Sequence, residues 1–276
     1  MKNINKQLAE INITLKLGNK NLVKFGDELF KIAKSTNQGF NNVAQAAMEF
    51  SKQGLGVKET VRRTRDALIL TRISGLNTKE SIKQLTNIIN SFKKLNTTKI
   101  INKLSAVDAK FAVSTKDLAN AVARVGNSAQ DVKVNFDKLL GLIAIVQEKT
   151  GRGGKITGNA IKTMLIRLQR PEILTNLRRM GISIYDPDNN PRPVIDILID
   201  LAKVYSTLTE QNKMVVGAGI GGIYQINTFR AILLDLNDPN GIYYRSLKTI
   251  ENARDEAGKI SQGINSTLKK IKKHKK

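Results

Sequence analysis

The chain has 276 residues, enough to bury the core of one large helical domain or of two smaller ones. Its 46 Lys and Arg residues against 23 Asp and Glu give a formal net charge of +23, which favours nucleic acid, anionic lipid or an acidic protein surface as a partner. With no cysteine, no tryptophan and no apolar run near the roughly 20 residues of a spanning helix, the composition excludes disulfides, thiolate metal sites and a membrane span and predicts a soluble protein.

The N-terminal part of the chain contains three periodic segments. Apolar and polar residues alternate from Ile11 to Leu17, which favours a short strand within an N-terminal extension over residues 1–24. From residue 22 to 32 the apolar spacing becomes helical, and after a turn a second helix is predicted over residues 40–50.

The next helices are marked by a shared start signal, in which an apolar residue precedes a capping residue and an acid lies three positions beyond the cap. Asn77 with Glu80 and Ser114 with Asp117 fit this signal, whereas the cap at Gly56 lacks a side-chain oxygen. The cap oxygen and the acid both satisfy free N–H groups of the first turn. The predicted helices cover residues 58–73, 79–95, 99–109, 116–125 and, after a looser signal at Asn135, 136–149.

A glycine-rich segment separates these helices from the next pair. Residues 151–158 hold four glycines and two cations, which predicts a sharp connection rather than the interior of an element. Apolar spacing then predicts a helix over residues 159–168 and a second that starts at Pro171 and ends at Gly181. Alternation followed by a turn cluster predicts a short hairpin or extended arm near residues 182–193.

The remaining chain completes an all-α pattern. A broad apolar stripe predicts a helix over residues 194–205, a glycine-rich break follows at 215–222, and a helix over 225–236 ends in a turn cluster around Pro239. We expect an irregular antiparallel array of about ten helices. The expected division is an extension at 1–24, a helical core at 25–238 that allows a subdivision near 150, and a basic C-terminal helix and tail at 239–276.

Several of these segments resemble the shared core region of phage tail tape measure proteins. The run VQEKTGRGG…AIKTMLIRLQRPEILTNLRRMGISIYD is similar to the family's ERTG, RLQ-P and LGI-x-V-x-D motifs. Gln53-Gly54-Leu55 with Glu59 resembles its G-x-S-x-E helix start, and the FAVS sequence from Phe111 resembles its FAVS-x-x-E/D-LA step. The GGIYQIN sequence from Gly221 resembles its closing G-x-Y-Q motif. The likeness extends from about residue 29 to 238.

This resemblance implies a structural role in the virion. Tape measure proteins occupy the lumen of the tail tube, set tail length during assembly, and leave before the genome passes. The implied partners are the tail tube protein, tail assembly chaperones and baseplate hub or tail tip proteins. The resemblance also implies a homo-oligomer, a trimer or hexamer, around the tail axis. Transient contact with DNA or the host membrane is left open. Rulers of this family are usually much longer than 276 residues. That departure is consistent with a fragment or a divided gene product.

Two groups of cations are candidate contact residues. Residues 150–180 contain seven cations and a single acid, Glu172. Guanidinium groups bind carboxylate or phosphate through paired hydrogen bonds. A solvated face is the alternative explanation for such a run. The candidate partner contacts are Arg152, Lys155, Arg167, Arg170, Arg178 and Arg179, and the candidate anion-binding tail comprises Lys269, Lys270, Lys272, Lys273, Lys275 and Lys276.

The glycines are more typical of hinges or close helix contacts than of a nucleotide site. Residues 217–222 match the G-x-G-x-x-G pattern, but that fingerprint works between a parallel strand and a helix, and no alternation of strands and helices is predicted here. We expect no cofactor. The candidate hinges are Gly151, Gly153, Gly154, Gly158, Gly181, Gly217, Gly219, Gly221 and Gly222.

The sequence offers few residues that could support catalysis. The single histidine, His274, lies in the basic tail, which leaves no internal histidine for a triad or a metal site. Glu148 is an isolated acid that could only support a lysozyme-like cell-wall cleavage, and a solvated carboxylate is the simpler explanation. We therefore expect no enzyme, and the main alternative to a tail protein is a basic nucleic-acid-binding or packaging accessory protein.

Overall fold

The computed structural model describes the backbone of residues 2–274 and the side chains of residues 3–268. Within this range the chain forms fifteen α-helices and no β-strand, so the predicted all-α class is confirmed. The helices are α1 (Lys2–Leu15), α2 (Asn19–Thr36), α3 (Phe40–Ser51), α4 (Val57–Ser74), α5 (Thr78–Ser91), α6 (Thr97–Asp108), α7 (Thr115–Asp131), α8 (Phe136–Thr150), α9 (Gly154–Arg167), α10 (Pro171–Arg179), α11 (Val194–Tyr205), α12 (Glu210–Val216), α13 (Ile226–Leu236), α14 (Ile242–Glu251) and α15 (Glu256–His274).

The helices group into two compact units. Unit 1 contains Met1–Ile89, Lys94–Ala106 and Ala253–Lys276, and unit 2 contains Asn90–Lys93 and Val107–Asn252. The first and last parts of the chain thus belong to the same unit. The segments predicted from the sequence, 1–24, 25–238 and 239–276, stay a prediction about the organisation of the protein.

In unit 1, the predicted strand between Ile11 and Leu17 is wrong, because α1 covers most of it. Leu8, Ile11 and Leu15 are spaced by three and four residues, and Ile11 is fully buried where α1 packs on α3. Ile13, the alternate apolar residue, is 75% exposed. The helical spacing therefore determines which side chains are buried, and the two-residue alternation is a coincidence.

A buried carboxylate ties α4 to α6 within unit 1. Asp66 is fully buried, and its Oδ2 accepts hydrogen bonds from the hydroxyls of Thr97 and Thr98 at 2.6 and 2.7 Å. Because these threonines open α6, the carboxylate lies at the positive end of that helix. The amide of Ala257 donates to Asn102 Oδ1 at 3.2 Å, which links α15 to the same helix.

Unit 2 is built around α8, which has the longest run of buried residues among its helices. Every residue from Leu139 to Gln147 is buried, since α7, α9, α13 and α14 all pack on this helix. Gly141 permits close contact with α14, because a Cβ atom there would lie 2.8 Å from the Tyr243 ring. Asp235, also buried, accepts from the amides of Ile242 and Tyr243 and so caps α14.

The predicted helix starts are confirmed in atomic detail. The amide of Glu80 donates to Asn77 Oδ1 at 2.9 Å while the Asn77 amide donates to Glu80 Oε2 at 3.2 Å, which is a complete capping box. Ser114 and Asn135 accept from amides in the first turns of α7 and α8. Gly56 precedes α4 without a side-chain cap, because glycine has no side-chain oxygen.

The arm between α10 and α11 contains a single antiparallel bridge, Tyr185 with Pro191, rather than paired strands. Ile182 and Ile184 are buried and their neighbours exposed, as the alternation predicts. Arg192 holds the arm in place, since its guanidinium donates to the Ser183 carbonyl at 2.7 Å and to Asp200 Oδ2 at 2.6 Å.

Candidate interaction surface

The glycine-rich segment at 151–158 differs from the sequence prediction, because α9 begins at Gly154 rather than after Gly158. Gly154 and Gly158 lie on the face of α9 that crosses α7, and a methyl group at residue 154 would overlap the backbone carbonyl of Asp117. Ala121 of α7 lies under Gly158. Because Gly154 and Gly158 have no side chains, the backbones of α7 and α9 can approach closely. The packing at this crossing compensates for the low intrinsic helix propensity of glycine.

Asp117 serves two helix starts at this crossing. Its Oδ1 accepts from the amide of Gly154 at 2.7 Å, and its Oδ2 accepts from the hydroxyl of Ser114 at 2.8 Å. The carboxylate therefore lies at the N-termini of both α7 and α9, where the helix dipoles favour negative charge. This contact fixes the position of the loop that carries Arg152.

Arg152, predicted as a partner contact, is half-buried and bound within unit 2. Its Nη1 donates to Gln225 Oε1 at 2.7 Å and approaches Thr228 Oγ1 at 3.4 Å. The Thr228 hydroxyl donates to the same Gln225 oxygen at 3.2 Å. The three side chains link the loop before α9 to the start of α13.

Arg167 lies against the backbone of Gly222. A Cβ atom at residue 222 would overlap the Arg167 guanidinium, and Gly222 has φ +72°, a conformation that favours glycine. Any larger residue at position 222 would displace the arginine and strain the backbone. Arg152 and Arg167, separate in sequence, thus meet the same short segment, residues 222–225, which we call the corner.

The corner follows a π-helix, Gly217–Gly221, that continues α12 where the sequence predicts a break. A Cβ atom at Gly217 would lie 2.9 Å from Ile226, one at Gly219 2.5 Å from Ile173, and one at Gly221 3.1 Å from Phe229. Gly217, Gly219 and Gly221 therefore each make room for an apolar side chain, whereas Gly222, the last glycine of the G-x-G-x-x-G pattern, makes room for the Arg167 guanidinium. The segment follows a helix instead of the strand that a dinucleotide fingerprint requires.

Two large apolar side chains protrude from the corner. Ile223 is 84% exposed and Tyr224 is 91% exposed, within a 3₁₀ turn that covers Ile223–Gln225. The backbone beneath them is ordered by hydrogen bonds from the Gly222 amide to the Ala218 carbonyl and from the Gln225 amide to the Gly222 carbonyl. Sequence reasoning gave neither side chain a role, although two large apolar residues directly after a glycine pair were the available indication.

The other predicted contact residues project into solvent. Lys155, Arg170, Arg178 and Arg179 are exposed, and none forms an ion pair within the described side chains. Unpaired arginines are free to bind an external carboxylate or phosphate. Their role as partner contacts stays a prediction, and the lysines of the predicted anion-binding tail (Lys269, Lys270, Lys272, Lys273, Lys275 and Lys276) lie outside the described side chains.

The remaining candidate hinges end or begin helices. Gly151 has φ +63° and closes α8, while Gly153 precedes α9 as its N-terminal cap. Gly181 has φ +80° and follows α10, where the sequence predicts a left-handed residue. Whether any of the predicted glycines acts as a hinge stays a prediction.

The fold and this surface together describe an all-helical, basic protein whose accessible features suit contact with another macromolecule. No helix in the part of the chain that the structure describes has the length and apolar character needed to cross a membrane. Residues 20–222 match the family of phage-related minor tail proteins, and the chain belongs to that family. It is therefore a structural phage tail protein of the virion that acts with other tail components. No solved structure matches the chain.

Proposed function

We propose that this tail protein is the core region of a tape measure protein. It occupies the lumen of the tail tube, takes part in length determination and in assembly at the baseplate or tip, and leaves during genome delivery. The observation that supports this proposal is the ordered series of tape-measure-like motifs, most of which fall within the residues 20–222 that match the tail protein family. A structural role also agrees with the position of Glu148, whose carboxylate accepts from the Ala112 amide at 3.4 Å.

The proposed partners are the tail tube protein, tail assembly chaperones and the baseplate hub or tail tip proteins, with several copies of the chain around the tail axis. The exposed guanidinium groups of Arg170, Arg178 and Arg179 supply the attraction. Each can make two parallel hydrogen bonds to a carboxylate, so an acidic partner surface would be bound with defined geometry as well as charge. Such contacts also speed association.

Co-purification with tail tip proteins tests this proposal. We expect the Arg170→Gln, Arg178→Gln, Arg179→Gln triple variant to associate roughly tenfold or more weakly than the unaltered chain, because charge pairs at an interface couple strongly. Arg167 is kept, since its packing against Gly222 would confuse the result. The matched control removes the same charge from exposed lysines of unit 1 (Lys79→Gln, Lys83→Gln and Lys94→Gln).

The outcomes separate the charge mechanism from a general effect of net charge. Loss in the arginine variant but not in the lysine control supports the proposed contact. Equal association of both variants with tail tip proteins would count against it. An unaltered chain that binds no tail component would contradict the tape measure proposal itself.

A further inference from the structure

We propose that the corner is a docking point for an acidic protein surface that contains an apolar pocket. Ile223 and Tyr224 enter the pocket, and the neighbouring arginines pair with carboxylates at its rim. The inference rests on the proposed function only in taking this partner to be another tail component. It concerns residues to which the charge mechanism above assigns no part.

The first argument is the exposure of two adjacent anchor side chains. At 84% and 91% exposure, Ile223 and Tyr224 contribute almost nothing to the core of unit 2, and both have large apolar surfaces to bury in a complex. Tyrosine and arginine are the residue types that most often dominate binding at protein interfaces. Here the first and last residues of the corner each contact a half-buried arginine, since Gly222 packs on Arg167 and Gln225 accepts from Arg152.

The second argument is that the corner is held in one conformation before any partner binds. Gln225 is fixed by Arg152 and Thr228, Gly222 packs on Arg167, and Ile226, the residue after the turn, packs against Gly217. A side chain that is presented on a pre-ordered backbone loses little additional entropy on binding. The anchors are therefore displayed on a rigid base.

Charge selects the class of partner. Arg152 and Arg167 both contact the corner, and Glu172 is the only acid between residues 150 and 180. A second copy of the chain carries the same net charge of +23, so an acidic surface of a different protein matches the arginines of the corner better. Nucleic acid would satisfy the arginines and could stack a base on Tyr224, but it would leave the exposed Ile223 side chain without an apolar partner. An acidic protein surface with an apolar pocket satisfies both the charge and the side chains.

The test compares the full chain with an Ile223→Ser, Tyr224→Ser double variant. Both are immobilised and titrated with the purified tail tube protein and tail tip proteins of the phage that encodes the chain. We expect the double variant to bind its partner about 30-fold more weakly, as for a typical interface hot spot. Tyr224→Phe, which keeps the ring, should retain most of the affinity. Leu234→Ser, at a residue of α13 that is 70% exposed, is the matched control and should bind normally.

Three outcomes decide between the explanations. If the chain binds a tail protein and the double variant binds it equally well, the inference is wrong and the proposed function stands. If the unaltered chain binds none of these proteins, the proposed function itself fails. In parallel, a short DNA oligonucleotide and vesicles of phosphatidylcholine with phosphatidylglycerol are titrated against the same variants. Should the double variant lose only oligonucleotide or vesicle binding, the corner recognises that ligand and the protein partner is rejected.

Discussion

Residue 154 has no room for a side chain, because the start of α9 lies directly on the backbone of α7 at Asp117. The same residue also donates its amide to the Asp117 carboxylate at 2.7 Å. Because glycine is conformationally flexible, the glycine-rich run at 151–158 was predicted from the sequence to be a loop. The close approach of two helices makes glycine the only residue that fits. Such a requirement depends on a contact between segments 37 positions apart, which local pattern does not reveal.

We expect Gly154→Ala to lower the free energy of unfolding by about 1–3 kcal/mol, because the added methyl group must push α9 away from α7. Gly153→Ala is the matched control. Its Cβ atom would meet Asp117 Oδ1 at 3.6 Å, an ordinary contact, so a change within about 1 kcal/mol is expected. Urea unfolding of the two variants measures the difference. Equal stability of the two variants would mean that the crossing is not tightly packed.

Among the elements, helix starts were the most predictable, since a cap and its acid lie within one turn of each other. Asn77 with Glu80 forms its capping box from residues three positions apart. The arm at 182–193 was predictable only in outline. Its bridge and its buried isoleucines follow from alternation, but its attachment depends on Arg192, which reaches Asp200 in the next helix. No local pattern marks that arginine.

The attachment of the arm has a consequence for pH dependence. Burial is the largest single influence and acts to raise the pKa of Asp200, but the hydrogen bonds and positive charges of Arg192 and Lys203 together outweigh it, so the pKa is lowered overall. A carboxylate with a lowered folded pKa stabilises the protein above the unfolded pKa of about 3.9, and this contribution is lost as pH falls through the folded value.

Asp200→Asn should therefore destabilise unit 2 at neutral pH by about 0.5–1 kcal/mol, the range for a partly exposed ion pair. The difference from the unaltered chain should begin to shrink as the pH falls below about 3.9 and should be lost below the lowered pKa of folded Asp200. Asp188→Asn, in the exposed turn of the arm, is the control and should have little effect at either pH. Urea unfolding across this pH range provides the measurement. A difference that persists in acid would show that the ion pair is not its cause.

For the whole molecule, apolar spacing and helix-start signals predicted the helical class, composition gave the basic character, and the motif series indicated the tail protein family. The corner was not predicted, because it is assembled from residues that lie far apart in sequence. Arg152 and Gln225 are 73 positions apart, and their hydrogen bond depends on the packing of α8, α9 and α13. Sequence periodicity identifies the faces of single helices, but it does not show which helix ends meet.

Net charge is also a property of the whole molecule, and it separates the tail protein proposal from the nucleic-acid alternative. The six lysines within residues 269–276 account for six of the 23 net positive charges. If they alone hold DNA, a chain that ends at Leu268 should bind a short duplex far more weakly, and the slope of log K against log salt should fall by up to about 5. The Lys79→Gln, Lys83→Gln, Lys94→Gln control should keep the original slope. Anisotropy titrations from about 50 to 200 mM salt measure both quantities. Tight duplex binding that survives the truncation would favour a packaging protein, because the rest of the chain would then bind DNA without the lysine tail.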